Sequence, residues 1–108
     1  MPNITFYISE DQSDRITGFQ DLTRTCFALC TEILNAEPDN IHIIFVNVRP
    51  GCGHPIYVEL FYRLTESRTP EVMDKFMHEL DAVIRLSTAL TARIRCFGSP
   101  ALQIYARN

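Results

Sequence analysis

Two stretches of this sequence run strand, helix, strand in the same order, and that repetition leaves a chain of 108 residues few ways to fold. The first opens with alternation. Ile4, Phe6 and Ile8 face one way and Asn3, Thr5 and Tyr7 the other, as in a half-buried strand. A polar cluster from Ser9 to Asp14 follows, with Ser13 and Asp14 as candidate N-caps. Ile16, Phe19, Leu22, Cys26, Leu29, Cys30, Ile33 and Leu34 then recur at helical spacing. They predict an amphipathic helix that ends before Pro38. Ile41 to Val48 is a β-rich run suited to a buried parallel strand.

The second stretch repeats the plan. Ile56 to Leu64 reads as a strand with Val58, Leu60, Tyr62 and Leu64 on one face. Thr69-Pro70-Glu71 reads as a helix start: a capping hydroxyl, a proline at the first helical position and an acid at the positive end. Val72, Met73, Phe76, Met77, Leu80, Val83 and Ile84 form one helical stripe. Ala92 to Phe97 is a strand that Gly98-Ser99-Pro100 should break, and Leu102 to Tyr105 suggests a short terminal strand. The expectation is one α+β domain over 1–108, with pseudo-repeat halves 1–50 and 54–108. Right-handed crossovers put both helices on one face of a four-stranded mixed sheet. Two architectures fit: a ferredoxin-like split βαβ, or two βαβ units related by a pseudo-twofold axis. Either leaves a bare sheet face carrying Thr5, Tyr7, Tyr57, Phe61, Arg93, Arg95 and Phe97, which a second subunit would cover.

Charge narrows the function classes. The net charge of −3 argues against nucleic acid as a partner, since such proteins need a basic face. No stretch is apolar for long enough to span a membrane, which takes about 20 residues. The start, Met1-Pro2-Asn3-Ile4, has no basic or long apolar segment, so the expected location is the cytoplasm. Lys75 is the only lysine among ten cationic side chains. Arginine forks suit carboxylates, and an acidic small ligand fits that bias. Cys26 and Cys30 lie four apart on one helix face and read as small core hydrophobes. Cys52 and His54 share the segment Pro50–Pro55, but no CxxC pair accompanies them, and an ordinary turn accounts for them. No metal site and no cofactor is expected.

Five of the six prolines sit between elements or at a helix start; Pro2 does not. Removal of Met1 would leave Pro2 with a secondary amine, held by the strand that follows. Such a nitrogen acts as a general base or nucleophile when its pKa falls towards neutrality. The segment Met1-Pro2-Asn3-Ile4-Thr5-Phe6 resembles the start of the tautomerase superfamily, which includes 4-oxalocrotonate tautomerase and macrophage migration inhibitory factor. Glu66-Ser67-Arg68-Thr69-Pro70-Glu71 resembles that family's Gly-Arg-Ser/Thr-x-Glu helix start, with Ser67 in place of Gly. Thr91 to Phe97 is similar to its later strand, and His54-Pro55-Ile56 opens the second half as Pro2 opens the first. In the corresponding first-half motif, Glu10-Asp11-Gln12-Ser13, Gln12 stands where the family has Arg, and Ala36-Glu37-Pro38 lacks the lysine of macrophage-factor-like members.

The resemblance implies a keto–enol tautomerase or related proton-transfer enzyme acting on a small carboxylate-bearing substrate. Pro2 would be the base, and Arg93, Arg95 and Arg68 would hold the carboxylate. It also implies a homotrimer with sites between subunits. Two alternatives stay open: a non-catalytic oligomer of the same fold, and a ferredoxin-like small-molecule-binding module.

Overall fold

The structure, a computed structural model, describes residues 1–108. Period-two burial builds strand β1 (Pro2–Ser9), in which Pro2, Ile4, Phe6 and Ile8 are all buried. The first helix starts later than the sequence suggests. The Ser13 hydroxyl donates back to the Glu10 carbonyl, so it caps no helix, and Ser13–Arg15 is only a 3₁₀ turn. Helix α1 (Phe19–Glu32) begins after Gly18 with no side-chain cap and buries Leu22, Cys26 and Cys30. A second 3₁₀ turn, Pro38–Asn40, leads into β2 (His42–Val48).

Strand β3 (Ile56–Arg63) buries Ile56, Val58, Leu60 and Tyr62, as the alternation predicts. Leu64 lies just past it and is half-exposed. Helix α2 (Pro70–Thr88) starts as its sequence requires: the Val72 N–H donates to the Thr69 hydroxyl at 3.2 Å, and Pro70 takes the first position. Its inner stripe is Met73, Phe76, Leu80, Ile84 and Thr88. Strand β4 (Ala92–Ser99) runs through Gly98 instead of breaking there. A Cβ on Gly98 would stand 2.6 Å from Leu64 Cδ2 and 2.8 Å from Tyr62 Cζ, so the glycine is where Tyr62 packs against the strand beside it. The terminal strand over Leu102–Tyr105 does not form. Gln103 and Ile104 donate to the Pro100 and Ala101 carbonyls, and this local turn replaces a ladder.

The sheet order is β2-β1-β3-β4. β1 is parallel to β2, β3 is parallel to β4, and the central β1–β3 pair is antiparallel with Thr5 opposite Glu59. In each βαβ unit the two strands are therefore immediate neighbours. A split βαβ would put another strand between them, so the ferredoxin-like alternative is excluded. The buried faces of both helices and of β1 and β3 form one core, centred on Phe6, Val58, Leu60, Phe76 and Leu80. Phe45 of β2 stacks on Phe6 and meets Phe19 of α1 edge-on, both at 4.9 Å between ring centres. No helix is long and apolar enough to cross a membrane.

The opposite sheet face has no cover. Phe61 stacks on Phe97 at 5.2 Å and Tyr7 on Tyr57 at 5.8 Å, each across a strand pair. Phe61 and Phe97 are both 45 % exposed, and Ile44 is 41 % exposed on the same face.

Candidate functional site

The amino-terminal end of β1 meets the carboxyl-terminal end of β3, because these central strands run antiparallel. Pro2 lies opposite Tyr62. Extending that register by one step brings Met1 opposite Arg63. Here the protein has its largest cavity, about 920 Å³, with Met1, Asn3, His42, Arg63 and Arg68 in its walls. The α1–β2 connection supplies Asn35, Glu37, Asp39 and Asn40, and the chain's last residues, Gln103 to Asn108, close another side.

The ammonium of Met1 is disfavoured in this setting. Burial lowers its pKa first, and the charges of Arg63 and Arg68 lower it further. The Pro2 ring points into the core and is among the most completely buried side chains, so the start of the strand is fixed. Pro55 has no equivalent place. β3 begins at Ile56, so Ile56 is the core-facing first residue that corresponds to Pro2.

Arg68 is held by the backbone. Its Nε donates to the Leu34 carbonyl at 3.0 Å and its Nη1 to the Arg63 carbonyl at 2.7 Å. It thus ties the end of the first helical segment to the end of β3, across the base of the cavity. Charge-assisted bonds of this kind contribute about 1.5–3 kcal/mol each when shielded, and less at the partial exposure seen here. Burial lowers the Arg68 pKa, and it remains a cation at any working pH.

Arg93 and Arg95 lie elsewhere in the chain. Both are exposed on the bare face of β4, opposite Tyr57 and Glu59 of β3, whereas Pro2 pairs at the Tyr62 end. Glu59 forms no ion pair with either arginine; it accepts a hydrogen bond from the Tyr57 hydroxyl at 3.0 Å. Burial and that carboxylate together raise the Tyr57 pKa. The cavity therefore holds Arg68 together with Met1, the residue before Pro2, while Pro2 itself faces the core and Arg93 and Arg95 of the same chain stand on the bare sheet face. Gln12, at the position of the missing family arginine, accepts from Arg15 at 3.1 Å.

The residues that sequence reasoning missed are Arg63, His42 and the cavity walls at 35–40 and 103–108. Arg63 ends β3 and His42 starts β2; the antiparallel β1–β3 register brings the first to the amino terminus and the parallel β1–β2 register the second. No group of three or more His, Cys, Asp or Glu side chains is disposed to hold a metal ion. Cys52 and His54 are both exposed. Cys26 and Cys30 are completely buried, and the hydrogen bond with Cys30, followed by burial, raises the Cys26 pKa.

No family model matches the chain, and no curated protein matches it in sequence. Solved structures do resemble it. A macrophage migration inhibitory factor-like protein from Entamoeba histolytica superposes with a TM-score of 0.72 at 7 % identity, over 98 % of this chain and 95 % of that one. A fused 4-OT, solved as a wild-type symmetric trimer, gives 0.75 at 12 % identity over 98 % and 93 %. Malonate semialdehyde decarboxylase gives 0.66 at 9 % identity over 99 % and 92 %. With two adjacent βαβ units, a four-stranded mixed sheet and helices on one face, the chain has the fold of the tautomerase superfamily.

Proposed function

We propose that this protein is a proton-transfer enzyme, a keto–enol tautomerase of a small keto or enol acid, with Pro2 as general base once Met1 is removed. One observation carries the reading: Met1, the residue that precedes Pro2, lies in a cavity with Arg63, Arg68 and Arg107, where its amine is disfavoured as a cation. A neutral secondary amine there takes a proton from an enol hydroxyl or an activated carbon. It returns the proton to carbon or oxygen at the other end of the conjugated unit. Cations around the cavity hold the substrate carboxylate and stabilise enolate charge as it develops, a large catalytic contribution where water is excluded.

The assembly proposed is a homotrimer that closes the three bare sheet faces. Its support is the uncovered aromatic surface and the trimeric fused 4-OT of the same fold. In such a trimer Arg93 and Arg95 act on a neighbour's site, since they stand away from Pro2 of their own chain. A cytoplasmic location belongs to the same proposal. A second reading, a non-catalytic oligomer, is favoured by Gln12 in place of an arginine.

The test is ketonisation of phenylenolpyruvate and 2-hydroxymuconate by protein whose intact mass confirms loss of Met1. Turnover that falls about 10²- to 10⁴-fold in Pro2→Ala supports the enzyme. Equal turnover in the two proteins removes Pro2 as the base, and no turnover in either favours the non-catalytic oligomer.

A further inference from the structure

The bare sheet face carries charges as well as rings, and the strand registers sort them into rows across the sheet. One row runs Ile44, Thr5, Glu59, Arg95, and the next Val46, Tyr7, Tyr57, Arg93. The β2 flank is thus aliphatic and the β4 flank cationic, and Glu59 is the only acid in either row. Glu59 and Arg95 are neighbours in the register, yet they form no ion pair, and Arg93 forms none either. The carboxylate accepts the Tyr57 hydroxyl on Oε2, and its Oε1 is left over. Arg95 donates through Nη1 to the Ile94 carbonyl at 2.8 Å, which leaves its Nε and Nη2 free.

Whatever covers Phe61, Phe97 and Ile44 also takes these charges out of water. Unpaired, they would oppose the association, because a desolvated charge without a partner is costly. The occupant must bring a cation to Glu59 and an anion to the β4 flank. A second copy of this chain supplies both, an arginine from its β4 and a carboxylate from its β3. Copies arranged about a rotation axis hold equivalent residues at equal height along it. Arg95 is level with Glu59, whereas Arg93 lies one pleat, about 7 Å, along the strand. We infer that Glu59 of one copy pairs with Arg95 of the next, and that this ion pair sets the register in which the bare faces join. The inference rests on the homo-oligomer of the proposed function and deepens it. Apolar burial makes the copies associate, and a desolvated ion pair fixes how they meet. Arg95 then reaches a neighbour's site only through the strand it holds, and Arg93 is the arginine of β4 left without a carboxylate.

The experiment is analytical ultracentrifugation over a range of concentrations, which needs no turnover and so is independent of the proton-transfer reading. It compares wild type, Glu59→Arg, Arg95→Glu, the double variant Glu59→Arg/Arg95→Glu, and the control swap Glu59→Arg/Arg93→Glu. These side chains lie off the core, so the variants should fold, and circular dichroism verifies it. Each single variant should dissociate at a concentration about tenfold or more above that of wild type. The double variant should recover most of that loss, and the control swap should not. Glu59→Arg and Arg95→Glu chains mixed in equal amounts should assemble where neither does alone, because unlike chains supply each other's missing partner. The inference is overturned if the single variants associate as wild type does, if the double variant recovers nothing, or if the control swap recovers as much. Recovery in the double variant without assembly of the mixture also overturns it, since the pair would then lie within one chain. A monomeric wild type removes the oligomer and this contact together. A wild-type dimer with the same dependence on Glu59 and Arg95 removes the trimer and leaves the contact standing.

Discussion

The two βαβ units share a plan and differ at their joints. In the second, α2 has a side-chain cap at Thr69, and Ala89–Thr91 alone joins it to β4. In the first, α1 is shorter and uncapped, and the longer segment Ile33–Ile41 carries it to β2. The core stripe keeps step meanwhile: Leu22, Cys26, Cys30 and Leu34 recur as Phe76, Leu80, Ile84 and Thr88, each 54 residues on. The second unit makes the better scaffold. The loose joint of the first leaves room for a cavity wall, and only there does a proline lead the strand. The repeated architecture offers one candidate site per chain because the difference lies in connections, which tolerate change, and not in the packed faces.

The sharpest test of that asymmetry is the pair of prolines. Pro2→Ala should cost about 10²- to 10⁴-fold in turnover, whereas Pro55→Ala should leave the rate within about twofold, since the Pro55 nitrogen is an amide. Equal losses would break the comparison. In the core, Leu80→Ala should cost about 2–5 kcal/mol in urea unfolding, against about 1 kcal/mol for its counterpart Cys26→Ala, which loses a single sulfur. At the joints, Thr69→Ala should cost about 1 kcal/mol. Ala89→Gly should gain about 0.5–1 kcal/mol, because Ala89 has a left-handed φ of 59° that glycine adopts without strain.

The smallest effect is on the dependence of stability on pH. In the chain that retains Met1, the pKa of the Met1 amine is lowered by burial, Arg63 and Arg68; His42, Arg107, Glu37 and Asp39 also line the cavity. The unfolded amine takes up its proton near pH 8, at about its ordinary value, while the native amine still resists it. Stability should therefore be fully present above about pH 8 and decline as pH falls towards the native value, below which the loss stays constant. Arg63→Gln removes one of the opposing cations and should shallow that decline. A slope identical to wild type in thermal unfolding between pH 6 and 9, a range of about three units around the ordinary value, would remove Arg63 from the account.

Strand phases, the stripes of both helices and the capped start of α2 were legible because each rests on local periodicity and backbone chemistry. The start of α1 was not, because Ser13 had two possible partners and took the one behind it. Nor was the passage of β4 through Gly98, which depends on the Tyr62 ring beside it. Pro2 was legible as a candidate because it needs only a position in the chain. Arg63 was not, because nothing near it in sequence marks it. The sequence by itself determined two βαβ units, a bare aromatic face and a proline able to carry an amine. The tertiary structure decided that the units lie side by side, that the end of β3 meets the start of β1, and that of the three arginines in the cavity Arg68 is tied to backbone carbonyls while Arg63 and Arg107 are not. Those outcomes follow from register and chain reversal, which are settled by packing between residues some 60 positions apart and so leave no local trace.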